Sequence, residues 1–236
     1  MPTTSPLTDL PVGVILAGGL SRRMFASEVK SGGGTPVGDA NTVSPVGDKA
    51  LLSLGTTTML GQVIQRFQPQ VSALVINANG DIRRFTEFGL PVAADTIEGF
   101  VGPLAGVLAG MRWAATNAPA ATHIVSVSAD APFLPADLVS RLTHAIAAHP
   151  RAIAIARSGG ELHPVIGCWP VALADDLDAA LRAGVRKVLR WTDVHGTIPV
   201  DFDDLDAGGE RVDPFFNANT PSELDEARRL LARLAP

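Results

Sequence analysis

The stretch Val-Gly-Val-Ile-Leu-Ala-Gly-Gly-Leu-Ser-Arg-Arg-Met, residues 12–24, decides the fold of this chain. Its apolar beginning, residues 12–16, is too short for a surface helix and rich in β-branched residues, which predicts a buried strand. The pair Gly18-Gly19 lacks Cβ atoms, so the backbone can turn there and bring its N–H groups close to an anion. Arg22 and Arg23 add fixed positive charge. We therefore predict a strand that enters a loop for the phosphates of a nucleoside triphosphate.

This loop is neither of the two commonest phosphate-binding loops. It lacks a second glycine at the G-x-G-x-x-G spacing, and it has no Gly-Lys-Ser/Thr ending. An ordinary glycine turn after a buried strand would look much the same, so the stretch alone leaves a purely structural role open. The twin arginines also resemble an export signal, but no apolar stretch follows them. We therefore interpret them as part of the loop.

Composition limits the class of protein. With 236 residues, of which 46% are hydrophobic, the chain can bury a sizeable core, and we expect a single domain over residues 1–236. The formal net charge of −5 argues against general binding to nucleic acid or to a membrane surface. No run approaches the ~18 apolar residues of a membrane span, so we expect a soluble protein without membrane partners. Cys168, the single cysteine, excludes an internal disulfide and fits the cytoplasm; we expect it to be a buried core residue.

A stretch of different composition interrupts the chain at residues 25–47. It is rich in Gly, Ser, Thr and Pro and has no apolar period, which predicts a flexible inserted surface loop. Within it, Thr-Pro-Val-Gly-Asp at 35–39 is nearly repeated by Ser-Pro-Val-Gly-Asp at 44–48, a repeat too short to be a structural unit. Only the second copy is followed by a lysine, Lys49.

Beyond Lys49, predicted strands and helices alternate, which indicates an α/β fold with a mostly parallel sheet covered on both faces. In such sheets, ligands lie beyond the carboxyl ends of the strands. Gly18, Asn77, Asp95 and Asp130 each follow a predicted strand, so we expect them to line one crevice. The predicted strands are residues 73–76, 91–94, 123–128, 152–157, 162–169 and 196–200; the predicted helices are 58–67, 103–116, 135–149, 172–183, 185–192 and a last one from 221.

The last helix has the clearest start in the chain. Thr220 can cap it, Pro221 suits its first position, and Glu223 completes a capping box. Just before the cap, the phenylalanines at 215–216 can anchor the segment while Asn219 presents an amide. The predicted buried stripe of this helix consists of Leu224, Ala227, Leu231 and Leu234.

Five motifs in order along the chain closely resemble the molybdenum cofactor guanylyltransferases. The resemblance covers nearly the whole chain from residue 12 to 231, and five ordered motifs are far more specific than the first alone. They are Leu-Ala-Gly-Gly-Leu-Ser-Arg-Arg-Met at 16–24, Asp-Lys-Ala-Leu-Leu at 48–52, Gly-Pro-Leu-Ala-Gly at 102–106, Asp-Ala-Pro-Phe-Leu at 130–134 and Phe-Asn-Ala-Asn-Thr-Pro at 216–221.

This resemblance implies a single Rossmann-like nucleotidyltransferase domain and a defined reaction. The expected enzyme transfers GMP from GTP to the phosphate of molybdenum-bound molybdopterin, forming the guanine dinucleotide cofactor and pyrophosphate with Mg²⁺ as cofactor. Its expected partners are these two substrates, with transient contacts to cofactor-synthesis enzymes or molybdoenzymes and no nucleic acid.

Residue by residue, the resemblance assigns a nucleotide site and a metal site. The matched nucleotide-binding positions are Leu16, Ala17, Gly18, Gly19, Lys49, Asn77, Asp95 and Asp130. Asp130 is the expected Mg²⁺ ligand, and Asn219 matches a position that helps hold the metal in related sugar nucleotidyltransferases. Lys49 and Arg23 are the expected cations around the triphosphate, so that the catalytic set is Asp130, Lys49 and Arg23. The chain departs from the family's usual pattern in one respect, because residues 25–47 intervene between the Arg-Met and Asp-Lys pairs.

Two other functions stay open at this point. One is a related enzyme that uses CTP on molybdopterin or activates another phosphorylated substrate, and the other is a nucleotide-binding regulator without catalysis. Gly18-Gly19 and the motif at 102–106 favour the guanine-using members, and the presence of Asp130 and Lys49 favours catalysis. Individual residues also have structural alternatives. Asp130 can be a turn residue, and Asn77 and Asp95 are types that loops favour. His163 lies in the half of the chain where, by the resemblance, the pterin binds, but it can also be a packed strand residue.

Overall fold

A computed structural model describes residues 10–18, 48–99 and 102–234. Its strands are β1 (Val12–Leu16), β2 (Ser53–Leu54), β3 (Thr57–Thr58), β4 (Ala73–Asn77), β5 (Val92–Ala93), β6 (His123–Ser128), β7 (Ile153–Ser158), β8 (Glu161–Pro170), β9 (Thr197–Asp201), β10 (Leu205–Asp206) and β11 (Arg211–Val212). Its α-helices are α1 (Met59–Phe67), α2 (Pro103–Asn117), α3 (Leu138–Ala145), α4 (Ala174–Arg182), α5 (Val188–His195) and α6 (Pro221–Leu234). In these ranges, no helix is long and apolar enough to cross a membrane.

The central sheet has seven strands in the order β5-β4-β1-β6-β8-β7-β9. The strand β1 pairs in parallel with β4 on one side and with β6 on the other, and β8 runs antiparallel to both of its neighbours. The mostly parallel α/β sheet predicted from the sequence is therefore confirmed. Because the chain builds outward from β1 to β5 and then returns to place β6 on the other side of β1, the strand order reverses there. Such a switch point is where open α/β sheets bind ligands.

Side chains that alternate along the strands supply cores to both faces of the sheet. Ile15 packs in the core beneath α1 and α3, whereas Val14 packs in the opposite core beneath α2, α4 and α5. This period of two follows from the pleat of a strand. Fully burying such an aliphatic side chain stabilises the fold by about 1.5–3 kcal/mol, so the two cores hold the strands in a fixed register.

A third, smaller core attaches the last helix near the carboxyl edge of the sheet. The apolar side of α6 packs with Leu54, Met59 and Phe133. Leu224, Ala227 and Leu230 are the buried residues of α6, while Leu231 and Leu234 are only partly buried. The sequence therefore predicted the correct buried face of α6 but did not include Leu230 in it.

Several helices and strands are shorter in the structure than the sequence predicted. The helix predicted for residues 135–149 covers only Leu138–Ala145 in the structure, and that predicted for 172–183 is α4, Ala174–Arg182, preceded by a 3-10 turn at Val171–Leu173. Pro150, directly after the first of these stretches, explains part of the difference, since helical backbone is disfavoured just before a proline. The strand predicted for 91–94 is reduced to two residues at the sheet edge.

Candidate functional site

Three strand ends are joined at the switch point of the sheet. The N–H of Ala17 donates to the carbonyl of Asn77 at 2.8 Å, and the N–H of Ala129 donates to the carbonyl of Leu16 at 3.1 Å. These bonds continue the β4–β1–β6 ladder one step beyond the strands. The segment from Leu16 to Gly18 therefore lies between the ends of β4 and β6, at the switch point where we predict the crevice.

A lysine, an aspartate and an asparagine from three distant parts of the sequence meet beside this crevice. Lys49 Nζ forms an ion pair with Asp130 Oδ2 and donates a hydrogen bond of 2.8 Å to Asn219 Oδ1. The side chains of Lys49 and Asp130 are only 16% and 15% exposed. Ser128 Oγ donates to the other carboxylate oxygen of Asp130. Each Asp130 oxygen thus has a defined partner, which fixes the carboxylate.

Local structure explains how each member of this group is held. Asp48 caps the 3-10 turn Lys49–Leu51 by accepting the N–H of Ala50 at 3.0 Å. Asp130 follows β6, and its carbonyl accepts the N–H of Ala218 at 3.2 Å. That bond joins the turn after β6 to the segment just before α6.

The predicted capping box of α6 is confirmed, and it orients the residue before the cap. Glu223 Oε2 accepts the N–H groups of Asn219 and Thr220 at 2.8 and 2.9 Å, and Thr220 Oγ1 accepts the N–H of Glu223 at 3.3 Å. A helix start fixed in this reciprocal way leaves little freedom to the preceding backbone. Asn219 is consequently held with its side-chain oxygen on Lys49.

A second polar group lies at the ends of β4 and β5. Asn77 Nδ2 donates to Asp95 Oδ1 at 2.9 Å and to the carbonyl of Ala93 at 3.1 Å. Asn79 makes a reciprocal pair with Asp95, donating from Nδ2 to Oδ2 at 2.7 Å and accepting the N–H of Asp95 at 2.9 Å. With both donor positions of the Asn77 amide directed at these acceptors, its Oδ1 is the group left to face the neighbouring glycines.

Glycine keeps the space around Asn77 open. A Cβ on Gly106 would lie 2.2 Å from Asn77 Oδ1 and 2.7 Å from Leu16 Cδ2, so no other residue fits there without displacement. A Cβ on Gly18 would lie 3.8 Å from the same Asn77 oxygen. At the start of α2, Gly102 has φ 87° and ψ −176°, a region that only glycine adopts readily. The backbone of residues 102–106 can therefore approach a ligand closely.

His163 belongs to a separate group at the same edge of the sheet, where β7 ends. Ser158 Oγ donates to Asp213 Oδ1 at 2.7 Å and lies 2.6 Å from His163 Nε2. Because the single hydroxyl proton goes to Asp213, Nε2 is the protonated nitrogen of His163 and donates to Ser158. Burial lowers the pKa of His163, against the influence of Asp213 and Glu161. The ring of His163 also packs on the ring of Phe215, so His163 contributes to the packing of this part of the fold.

Comparison with known proteins identifies the family. The model of the MobA-like NTP transferase domain matches residues 13–196. A molybdenum cofactor guanylyltransferase of Bradyrhizobium sp. is 46% identical over 231 residues, which cover 98% of this chain and 97% of that protein. One from Mesorhizobium japonicum is 44% identical over 220 residues, covering 93% and 95%. The chain belongs to the molybdenum cofactor guanylyltransferases.

A solved structure agrees with this at the level of the fold. The molybdopterin-guanine dinucleotide biosynthesis protein A of Archaeoglobus fulgidus has a TM-score of 0.65 and 18% identity, covering 94% of this chain and 99% of that one. As a member of the guanylyltransferase family, the chain is a nucleotidyltransferase, and the Rossmann-like nucleotidyltransferase fold predicted from the sequence is confirmed.

The structure brings most of the predicted guanylyltransferase residues to one edge of the sheet, in two groups. Lys49, Asp130 and Asn219 form the first; Asn77 and Asp95 form the second, with the segment from Leu16 to Gly18 between them. Gly19, Arg22, Arg23 and the insertion at 25–47 lie outside the described residues. Cys168 is buried as predicted, and burial raises the pKa of its thiol, which keeps it unreactive.

Three residues of this edge escaped the sequence analysis. Ser128 fixes Asp130, Asn79 fixes Asp95, and Arg84 pairs with Asp48 at 2.9 Å. Ser128 ends β6 and Asn79 stands two residues after Asn77, so their position at strand ends was a usable signal. Arg84 lies within a 3-10 segment, Ile82–Phe88, and no pattern marked it.

The oxygen atoms of Asp130 and Asn219 are possible ligands for a divalent cation. Within the described ranges, no cluster of three or more His, Cys, Asp or Glu side chains suits a metal ion. However, an Asp130 carboxylate oxygen and the Asn219 amide oxygen converge on one cation, the ammonium of Lys49. Carboxylate and amide oxygens are the hard ligands that Mg²⁺ accepts, and Mg²⁺ usually takes few protein ligands and completes its shell with water and phosphate. The residues present therefore fit a magnesium ion that shares its coordination with a nucleotide.

Proposed function

We propose that this enzyme transfers GMP from GTP to the phosphate of molybdenum-bound molybdopterin, forming the guanine dinucleotide cofactor and releasing pyrophosphate. The observation that carries the proposal is the meeting of Lys49, Asp130 and Asn219 at the switch point of the sheet, in a chain whose relatives are named for this reaction. We infer that residues 1–236 act as one domain and that the reaction takes place in the cytoplasm.

The main obstacle to this reaction is repulsion between like charges. The α-phosphorus of GTP is surrounded by negative oxygens, and the attacking group is itself a phosphate. Positive charge fixed in a partly dry site offsets this repulsion more effectively than the same charge in water. We propose that Lys49, with Arg23, neutralises the triphosphate and stabilises pyrophosphate as it leaves.

Asp130 and Asn219 are the proposed ligands of Mg²⁺. When bound, the ion supplies Lewis-acid polarisation of phosphate oxygens. Because Lys49 bridges these two oxygens in the structure, holding a metal would require its ammonium to turn away from them. A flexible lysine stem allows such a move, and the released ammonium can then pair with the phosphates of the nucleotide.

We propose that the group at β4 and β5 reads the guanine base. The exocyclic amine and ring N–H of guanine are donors, and they require acceptors such as Asn77 Oδ1, which the bonds to Asp95 and Ala93 orient. We also propose that the backbone of residues 102–106, which include two glycines and a proline, approaches the flat base closely. A wrong base would leave these buried groups unpaired, at a cost of about 1–3 kcal/mol for each group.

No general base is required for the acceptor. A phosphate monoester is largely deprotonated near neutral pH and is already a nucleophile, so proton abstraction is not part of the chemical step. This agrees with the first group of the site, in which Lys49, Asp130 and Asn219 include no histidine.

The proposal is tested by incubating the purified protein with radiolabelled GTP, Mg²⁺ and molybdenum-loaded molybdopterin, and separating the dinucleotide product. We expect labelled guanine dinucleotide and pyrophosphate, with little product from CTP or without a divalent cation. Equal turnover with GTP and CTP would replace the proposal by a related cytidylyl transfer. Binding of GTP without any product would favour a regulator.

A further inference from the structure

Arg84 lies at the edge of the proposed site, and every nitrogen of its guanidinium has a hydrogen-bond partner. Its Nε forms an ion pair of 2.9 Å with Asp48 Oδ2, and the two side chains are 26% and 17% exposed. The neighbouring Arg83 also pairs with an aspartate, Asp81, but these side chains are 86% and 56% exposed. Exposed pairs of that kind contribute little to stability, so the two adjacent arginines make a natural comparison.

The rest of the Arg84 guanidinium is directed at backbone. One terminal nitrogen donates to the carbonyl of Asn79 at 2.9 Å, and the other donates to the carbonyl of Asp81 at 2.6 Å. The group also lies 4.4 Å from the ring centroid of Phe85. All three nitrogens of a planar fork are therefore used at once, a geometry that lysine cannot reproduce.

These contacts connect two parts of the proposed site. On one side, Asp48 uses its other oxygen to cap the turn that begins with Lys49. On the other side, the Asn79 that Arg84 holds by its carbonyl is the residue that pairs with Asp95. Arg84 thus ties the turn carrying Lys49 to the loop after β4.

Sequence separation makes this tie important for Lys49. The turn that carries Lys49 is far from Gly18 in sequence, so chain connectivity alone does not set their relative position. The backbone of Asp48 therefore needs contacts through space to fix it near the crevice. Arg84 provides a charged, multiply hydrogen-bonded one from the sheet side.

We propose that Arg84 is a positioning residue, which acts through Asp48 to place Lys49 for the triphosphate. This inference rests on the proposed function only in that Lys49 meets the nucleotide phosphates. It assigns no contact between Arg84 and substrate. It predicts that the effect of removing Arg84 depends on the presence of Lys49.

The test is a double-mutant cycle on GTP binding, measured by calorimetry with Mg²⁺ and without acceptor. We expect Arg84→Met to weaken GTP binding about tenfold, since a charge-assisted bond that orders Lys49 is lost. In a Lys49→Met background, the same substitution should change GTP affinity less than twofold. Arg83→Met, which removes the same charge one residue away, is the matched control and should behave as wild type.

A second variant and a second measurement keep the test decisive. Asp48→Asn should reproduce the loss, and adding Arg84→Met to it should cost little more, while Arg84→Lys should not restore affinity. Equal weakening by Arg84→Met with and without Lys49, or no weakening in either background, would overturn the inference. GMP transfer is assayed separately: if wild type binds GTP but transfers nothing, the proposed function fails while the binding cycle still decides the role of Arg84. A wild type that binds no GTP overturns both.

Discussion

Asp130→Asn separates a metal ligand from a turn residue. Asparagine keeps the shape of aspartate and can form the same turn, so if Asp130 only forms the turn after β6, the substitution changes stability but not the Mg²⁺ dependence of the rate. As a ligand of Mg²⁺, the side chain needs its charge. We then expect the Mg²⁺-dependent rate of GMP transfer to fall by about a hundredfold or more, which corresponds to an increase of roughly 3 kcal/mol in the barrier.

The structure also sets the stability cost of this substitution. Asp130 pairs with Lys49, and both side chains are mostly buried. The asparagine oxygen can still accept from Lys49, but the ammonium loses its charged partner, which costs several kcal/mol when such a pair is fully buried and less for this partly exposed one, about 1–3 kcal/mol. For a protein of this size each kcal/mol lowers the melting temperature by about 2–4 °C. The variant should therefore remain folded at assay temperature, and the loss of rate is not a loss of folded enzyme.

The assay measures initial rates over a series of Mg²⁺ concentrations, with melting temperature recorded for each protein. Asn219→Ala should raise the Mg²⁺ concentration needed for half-maximal rate, because it removes the second proposed oxygen ligand. Asp137→Asn changes an exposed aspartate that pairs with Arg141 at the start of α3, and it serves as the control that should match wild type. If Asp130→Asn keeps the wild-type rate at limiting Mg²⁺, the metal is held elsewhere, and Asp95 becomes the first carboxylate to test.

Three further predictions address other parts of the chain. Gly106→Ala should lower the melting temperature and weaken discrimination between GTP and CTP, because the added Cβ would lie 2.2 Å from Asn77 Oδ1. If the variant keeps the wild-type selectivity, Asn77 does not read the base. Burial lowers the pKa of His123, so its neutral form is favoured in the folded state, and stability is lost as pH falls below the ordinary pKa of about 6.5. His123→Gln should therefore show a shallower fall of melting temperature between about pH 7.5 and 5.5 than wild type; equal slopes would refute this. Deleting residues 31–42 should leave the melting temperature nearly unchanged, and an unfolded product would show that the insertion is structural.

Local patterns in the sequence predicted the framework of the fold because its elements are strongly periodic. The short β-branched strand at Val12–Leu16 and the capping box at Thr220 are both recognisable from a few consecutive residues. Helix ends were less predictable. Residues 146–149 keep an apolar spacing but leave the helix, since Pro150 disfavours helical backbone just before it.

Some residues of the candidate site were likewise predictable from their neighbours in sequence, whereas others depend on contacts between distant parts of the chain. Asp130 was predictable because it directly follows a buried strand, and the carboxyl ends of parallel strands collect ligands. No local pattern could place Lys49, whose meeting with Asp130 and Asn219 joins residues 81 and 170 positions away. Only the resemblance to the family pointed to it, and the insertion weakened even that signal.

The meeting of Lys49 with two oxygens has a chemical consequence. In the structure, the ammonium of Lys49 lies between the carboxylate of Asp130 and the amide oxygen of Asn219, so this partly buried carboxylate has a cationic partner. An unpaired charge at such a depth would cost several kcal/mol. If Asp130 and Asn219 hold Mg²⁺, the ammonium of Lys49 would have to pair with the phosphates of the nucleotide instead, so we expect binding of the metal and binding of the triphosphate to be coupled. On this basis Mg²⁺ alone should bind weakly, Mg²⁺ with GTP should bind tightly, and Lys49→Met should strengthen binding of Mg²⁺ alone. Calorimetric titration of Mg²⁺ into both proteins without nucleotide measures this, and weaker metal binding by the variant would refute it.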